Sequence, residues 1–491
     1  MTYFYESTRD SNKKVTSKQA ILEGISNDGG LYVWPELDQV KIDMEKICKQ
    51  SYKENAVMIL KEVLHDFTEE EIIDCVNKAY TDSFTDKDIT PIKKVDDIYV
   101  LELFHGPTSA FKDVALTLLP QLMQKALQTT NQKALILTAT SGDTGKAALS
   151  GFKDVDDIGI VVFYPHNKVS QIQYRQMATQ QGKNVKVYAV KGNFDDAQSQ
   201  VKRLFLNEEL NKEASEKSTI LTSANSINIG RLVPQIVYYF ESYKYLVNNG
   251  IIQLGDKVSF SVPTGNFGDV LAGYYGYLMG LPVEKFYVAS NANHVLTDFL
   301  TTGVYDKNRD FIQTISPSMD ILISSNFERL IYFMSGKDTA FVSKCMNDLA
   351  TTGRYEVGKE MLEKIQSMFE CGYVDDEMTK KEIKEVYEKT NVILDPHTAI
   401  GYKVAKEGKN RPIVSLATAS PYKFSIDVLK AIGVDVKDEL EAMEKLHEIS
   451  KEPIPAGLAQ LESLPILHKD VIEIDEMYNV VEDAMEACFN V

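Results

Sequence analysis

The chain has 491 residues, 44% of them hydrophobic and 25% charged, and 53 basic against 71 acidic residues give a formal charge of −18. That length leaves room for two to four domains, and that charge argues against nucleic acid and anionic membranes as partners of the surface as a whole. No stretch approaches the ~18 consecutive apolar residues of a membrane span, and the scattered Cys48, Cys75, Cys345, Cys371 and Cys488 support neither a disulfide framework nor a cysteine zinc site.

The opening MTYFYESTRDSNKK lacks an apolar signal core and is too acidic and polar for a transit peptide, so a cytoplasmic protein is expected. Residues 1–95 read as an N-terminal helical unit, with SKQAILEGI, DMEKICKQSYKENAVMILKEVL and TEEEIIDCVNKAY as helices. Between the first two, NDGGLYVWPEL makes a Gly-Gly turn into a short apolar strand. From about residue 97 short β-rich runs alternate with helical ones: IYVLEL, KALILTAT, GIVVFYP and VKVYAV are strands, and TGKAALSGF, VSQIQYRQMATQ and FDDAQSQVKRLF are helices. This alternation predicts an α/β fold of mostly parallel sheets flanked by helices. The pattern continues through KVSFSV and KFYVASN, is interrupted by a charged helical stretch at about 326–390, and resumes with PIVSLATAS. The expected organisation is 1–95 helical, 96–430 α/β with a smaller α/β subdomain at about 134–235 inserted in it, and a helical extension at 431–491.

Within FHGPTSAFKDVA, residues 104–115, Lys112 opens an apolar run of helix length. Helical spacing carries its stripe through Leu116, Leu119 and Met123, with Asp113, Thr117, Gln121 and Gln124 opposite. The ammonium is thus expected on the buried face and Asp113 on the wet one. Desolvation moves a lysine's pKa toward neutrality, and a neutral amine is the nucleophile of Schiff-base chemistry. A salt bridge to Asp113, or a side chain snorkelling out of the helix start, is the plain structural alternative.

Four further stretches can carry chemistry. LTATSGDTGKAALSG runs from a buried strand through Thr140, Ser141, Gly142, Asp143, Thr144 and Gly145 into a helix. Its N–H groups, hydroxyls and helix dipole suit a carboxylate or phosphate, and equally make a capped strand–helix turn. It is not a Walker A loop, because Thr140 stands where glycine is needed and Ala147 follows Lys146. In SVPTGNFGDVLAGYYGYLMG the strand runs into Gly265, Asn266, Phe267, Gly268 and Asp269, whose two glycines let the backbone curl around an anion. The dinucleotide pattern G-x-G-x-x-G is missing there, so no nicotinamide cofactor is indicated. SANSINIGR offers Ser226, Asn228 and Arg231, the last suited to bidentate phosphate or carboxylate recognition, or to an ordinary surface ion pair. In VSLATASPYKF a buried strand ends at the Thr418 hydroxyl, where open α/β sheets keep their ligands, or where a hydroxyl simply caps a turn.

An activatable lysine, a glycine phosphate cradle, a second anion loop and a strand-end hydroxyl, with no metal motif, suit pyridoxal 5′-phosphate. FHGPTSAFKD strongly resembles the cofactor-lysine motif of the bacterial and fungal threonine synthases. YESTRD, DGGLYV, TATSGDTGKAAL, NSINIGRLVPQIVYYF, PTGNFGDVLAGYYGYLMGLP, SPSMDILISSNFERLIY, LDPHTAIGY and TASPYKF resemble further blocks of that family in the same order, over nearly the whole chain.

The resemblance implies the fold-type II, tryptophan-synthase-β-like architecture of pyridoxal-phosphate enzymes. It implies conversion of O-phospho-L-homoserine and water to L-threonine and phosphate, by a monomer or homodimer without metal. It makes Lys112 the cofactor lysine and general acid/base, and Gly265, Asn266, Phe267, Gly268 and Asp269 the cofactor phosphate loop. Thr418 becomes the ring-nitrogen partner, Thr140, Ser141, Asp143 and Thr144 the α-carboxylate loop, and Ser226, Asn228 and Arg231 the region gripping the substrate phosphate. Two departures stand out. Asp143 replaces the Asn of many relatives of this fold, and an anion there repels a carboxylate, so service to a backbone N–H or the cofactor's ring hydroxyl is the other expectation. Ile229-Gly230 replaces bulkier residues before Arg231. Nothing resembles the N-terminal extension that activates plant-type enzymes, so no allosteric effector is expected. A threonine or serine dehydratase, or a non-catalytic relative, shares Lys112 and the glycine loop and remains the alternative.

Overall fold

The computed structural model describes residues 3–140, 142–192 and 194–489, with main chain only at 194–195. The central apolar runs fold as strands buried on both faces, the condition under which a parallel sheet needs no polar alternation, and less covered strands flank them in the sheets. Six of them form one sheet in the spatial order Phe369–Tyr373, Val283–Ser290, Val258–Pro263, Ile413–Ala417, Ile98–Glu102, Ile92–Val95. Only the last pair is antiparallel. A second, wholly parallel sheet runs Val471–Ile472, Val185–Val190, Ile158–Pro165, Lys133–Ala139, Thr219–Thr222. The loops expected to carry the chemistry leave the C-terminal ends of Lys133–Ala139, Val258–Pro263 and Ile413–Ala417.

Four local expectations are corrected. The N-terminal region adds an unexpected hairpin: Tyr5–Ser7 pairs antiparallel with Asp10–Val15 and with the expected short strand, Tyr32–Val33. The polar hairpin strand exposes most of DSNKKV, which hides its β character. The charged stretch 326–390 contains Phe369–Tyr373, an edge strand too partially covered to need an apolar sequence. The C-terminal extension contributes Val471–Ile472 to the edge of the smaller sheet. Finally, the Lys112 run is two helices, Lys112–Leu116 and Leu119–Leu127, because Pro120 fits only the first turn of a helix. Leu116, Leu119 and Met123 are buried as expected, but Asp113 is only 1% exposed. Its carboxylate is drawn inward by Thr108, whose N–H and hydroxyl donate to it at 2.8 and 2.6 Å.

The N-terminal region is tied to the site by the helix Phe327–Met334, buried along its whole length. Arg9 donates to both oxygens of Glu328 at 2.8 Å, and the Thr8 hydroxyl adds a third bond. Arg329, fully buried, donates to the Tyr32 carbonyl at 3.0 Å, the Asn326 side-chain oxygen at 2.5 Å and the Ile227 carbonyl at 2.7 Å. Arg329→Met leaves those three acceptors buried without a donor. Its urea-unfolding free energy is expected to fall by about 3 kcal/mol or more, and an unchanged midpoint with unchanged slope would refute that role.

Candidate active site

Lys112 is placed by the strand end that carries Thr418. The Leu103 N–H bonds the Ala417 carbonyl at 3.0 Å, Phe111 N–H the Thr418 carbonyl at 2.8 Å, and Ser420 N–H the Ser109 carbonyl at 3.1 Å. The segment before Lys112 is thereby zipped along residues 417–420. Lys112 keeps a tenth of its side chain exposed, with Nζ 3.5 Å from the Ser318 hydroxyl and 3.9 Å from Asp143 Oδ2. Burial lowers its pKa to about 8, with Asp143 and Asp113 opposing the shift and the positive charges of Lys423 and Arg231 reinforcing it. The ammonium and the free amine are then both populated near neutral pH.

Asp143 opens the helix Asp143–Phe152 after Gly142, whose φ of 145° suits glycine. The Thr140 hydroxyl accepts from the N–H groups of Gly142 and Gly145 at 3.0 Å each, so it organises this loop from within. Asp143 Oδ1 lies 2.8 Å from Lys423 Nζ and accepts from the Gln173 amide at 3.3 Å. Burial alone raises the Asp143 pKa, but Lys423 and then Lys112 outweigh it, and the carboxyl is held well below the usual carboxylate range. Asp143 is therefore an anion paired with lysines. Thr144 is half-buried at the same helix start. Ser141 lies outside the described residues.

The glycine loop meets Lys112 at Ser318. A Cβ on Gly265 would stand 2.5 Å from the Ser318 carbonyl, so the close approach of these loops requires glycine. The Gly265 carbonyl accepts from Ser324 Oγ at 2.8 Å and the Asn266 carbonyl from Asn326 N–H at 3.1 Å, leaving the loop clamped from behind. Phe267 takes a left-handed backbone (φ 61°) while its ring packs edge-on against Phe327 at 4.9 Å. It shapes the loop through its main chain. The Asp269 carboxyl is engaged elsewhere: Oδ1 lies 2.5 Å from the Tyr238 hydroxyl and 3.0 Å from that of Tyr239. Burial pushes its pKa up to about 6, against those two hydrogen bonds.

Of the third group, Arg231 is buried, donates to the Ala224 carbonyl at 2.9 Å and has an Nε without a partner. Burial lowers its pKa to about 10. Asn228 bonds the main chain. Its amide donates to the Ile21 and Ser223 carbonyls at 2.9 and 3.1 Å, which uses both of its N–H donors, and its oxygen caps the Gly230 N–H at 2.9 Å. Ser226 borders the glycine loop, its Cβ 3.9 Å from the position a Cβ on Gly268 would take.

Sequence reasoning assigned no role to Lys423, Ser318 or His397. His397 is buried, with Nδ1 2.8 Å from Asp395 and Nε2 accepting the Ser318 N–H at 3.2 Å, so its ring fixes the Ser318 turn. The signal for His397 was present in LDPHTA, where Asp395 followed by proline reads as a helix start. The residues fit pyridoxal phosphate on chemical grounds. Lys112 offers an amine for the aldehyde, and the clamped Gly265–Gly268 backbone offers a cradle that side chains would fill. The Thr418 hydroxyl, 6% exposed and without a hydrogen bond to the described residues, remains for the ring nitrogen.

Family models match the chain in succession: Threonine synthase N terminus over residues 4–80, Pyridoxal-phosphate dependent enzyme over 87–418, and Threonine synthase, C-terminal, over 398–484. The threonine synthase of Pseudomonas aeruginosa is 36% identical over 495 residues, covering 98% of this chain and 96% of that one. Human threonine synthase-like 1 is 36% identical over 482 residues, 94% of this chain, and the match spans 63% of that longer protein. The crystal structure of PLP-bound threonine synthase from Brucella melitensis is 36% identical with a TM-score of 0.88, covering 100% of both chains. The fold-type II architecture expected from the sequence is the one observed. From its first strand to its last helix, the chain belongs to the threonine synthase family of pyridoxal-phosphate-dependent enzymes.

Proposed function

We propose that the chain acts as a threonine synthase, converting O-phospho-L-homoserine and water to L-threonine and inorganic phosphate by elimination at the γ-carbon and addition of water at the β-carbon. The observation that carries this reading is a lysine with only a tenth of its side chain exposed, its Nζ 3.9 Å from Asp143, together with a buried Arg231 whose Nε has no partner. The first suits proton transfer on an amino acid, and the second suits an anionic ester. Bound pyridoxal phosphate supplies an electron sink for the charge left on carbon when a proton is removed.

Lys112 takes the α-proton and returns one at the end; a base must come within ~3 Å of its proton, and burial keeps enough of the amine neutral to accept it. Arg231 and Ser226 bind the ester phosphate and stabilise it as it departs. The N–H groups of Asp143 and Thr144, first in their helix and without an intrahelical acceptor, receive the α-carboxylate. Asp143 contributes its main chain to that task, since its own anionic side chain repels a carboxylate. Gly265–Gly268 and the main-chain N–H of Asp269 cradle the cofactor phosphate, and Thr418 meets the ring nitrogen. Among the described residues no helix is long and apolar enough to cross a membrane, and the five free thiols support the cytoplasmic location that belongs to this proposal.

Purified chain supplied with pyridoxal phosphate is expected to release phosphate from O-phospho-L-homoserine with threonine as the amino-acid product. Lys112→Ala is expected to abolish both turnover and the cofactor's absorbance band near the visible edge. Phosphate release without threonine overturns the reading. Arg231→Ala is expected to lower kcat/KM for phosphohomoserine about 100-fold, or about 2.7 kcal/mol, while largely sparing side elimination of serine and threonine. Equal losses on both would favour a dehydratase.

A further inference from the structure

Lys423 has no part in the chemistry proposed above, yet it is 4% exposed and aimed into the site. It sits in the turn Pro421–Phe424, five residues past Thr418, and donates to Asp143 Oδ1 at 2.8 Å and to the Thr108 carbonyl at 3.1 Å. The other oxygen of Asp143 lies 3.9 Å from Lys112 Nζ. One carboxylate stands between two lysines, and the closer contact goes to the lysine that does no bond-making.

Resting on the reading of Lys112 as the reactive amine, we propose that Lys423 is a positioning residue that holds Asp143 as its own counter-ion and so keeps this carboxylate from capturing Lys112. Lys112 Nζ is then free to add to an aldehyde carbon, losing its protons as the carbonyl oxygen leaves as water. Without the Lys423 charge, Lys112 is the lysine left to Asp143, which closes the 3.9 Å gap to it and holds Lys112 protonated. The groups around Lys112 are accounted for on every side. Asp143 and, on its own helix, Asp113 favour its charged form, whereas Lys423 and Arg231 disfavour it. Beyond Asp143 stands His397, whose Nε2 accepts the Ser318 N–H at 3.2 Å and whose charge, when protonated, favours the Asp143 anion. Lys146, bonded to the Gln180 amide oxygen at 2.7 Å, faces Asp113. Thr108 connects the two halves, accepting from Lys423 through its carbonyl and donating to Asp113 through its N–H and hydroxyl.

The test is trace acetylation of the full-length, cofactor-free chain with acetic anhydride across about pH 6 to 10, with the Lys112 peptide quantified by mass spectrometry against exposed Lys359. Wild-type Lys112 is expected to label with a midpoint of about 8. Lys423→Met removes a charge that lowers the Lys112 pKa and releases one that raises it, so the midpoint moves up. A rise of one unit cuts labelling at about pH 7.5 roughly eight-fold. Lys423→Arg keeps the charge and is expected to restore the wild-type profile. Asp143→Asn removes the counter-ion of both lysines and moves the midpoint down, and its sign decides the matter if Lys423→Met melts too low by circular dichroism to be titrated. An unshifted Lys423→Met midpoint, a Lys423→Arg profile matching that of Lys423→Met, or an upward shift in Asp143→Asn overturns the proposal. If wild-type Lys112 instead titrates like Lys359, the activated-amine reading fails and takes this one with it.

Discussion

Around Lys112 the carboxylates Asp143 and Asp113 stand against Lys423 and Arg231, so with Lys112 itself three cationic side chains meet two carboxylates in a chain whose formal charge is −18. Positive charge left uncompensated in a desolvated site is costly. It is relieved when a lysine gives up its proton or when a ligand brings negative charge. Amine chemistry and anion binding at this site therefore follow from a single arrangement. The acidic surface does not oppose it: across water and salt surface charges fade within a Debye length, whereas groups a few ångström apart in a buried site feel each other strongly.

The fold brings these groups together at strand ends. Lys133–Ala139 of one sheet delivers Asp143, and Ile413–Ala417 of the other delivers Thr418 and Lys423. The main-chain bonds between residues 103–111 and 417–420 set Lys112 beside them. Ser318 then meets Lys112 through its hydroxyl, the glycine loop through its carbonyl and His397 through its N–H. A second tier of contacts holds the first. Arg329 links the Tyr32 carbonyl to Asn326, and Asn326 in turn bonds the Asn266 and Ser226 carbonyls. The N-terminal region thus supports the glycine loop from behind.

Lys112 was legible in the sequence because a charge in an apolar helical stripe conflicts with the simplest rule of burial. The glycine loop was legible because Gly265 and Gly268 flank a turn that other residues resist. The roles of Asp143, Asn228 and Asp269 were not. A residue's type says which atoms can bond, but Asn228 uses both of its N–H donors on the main chain and Asp269 meets a tyrosine pair. Lys423 passed unnoticed because a lysine after a strand is ordinary, and its partner lies far upstream. The edge strands Phe369–Tyr373 and Val471–Ile472 were missed for a related reason, since a strand covered on few sides needs little apolar sequence.

The sequence by itself determined the alternation of strand and helix, the glycine turns, the largely buried lysine and, through the order of its motifs, the family. Each of these is a property of contiguous residues, whose periodicity and backbone freedom act locally. Only the tertiary structure decided which donors and acceptors were already taken, which carboxylate faces which lysine, and which arginine nitrogen is left without a partner. Those outcomes depend on atoms brought together from distant parts of the chain, where a difference of one ångström decides whether a charge is paired or free.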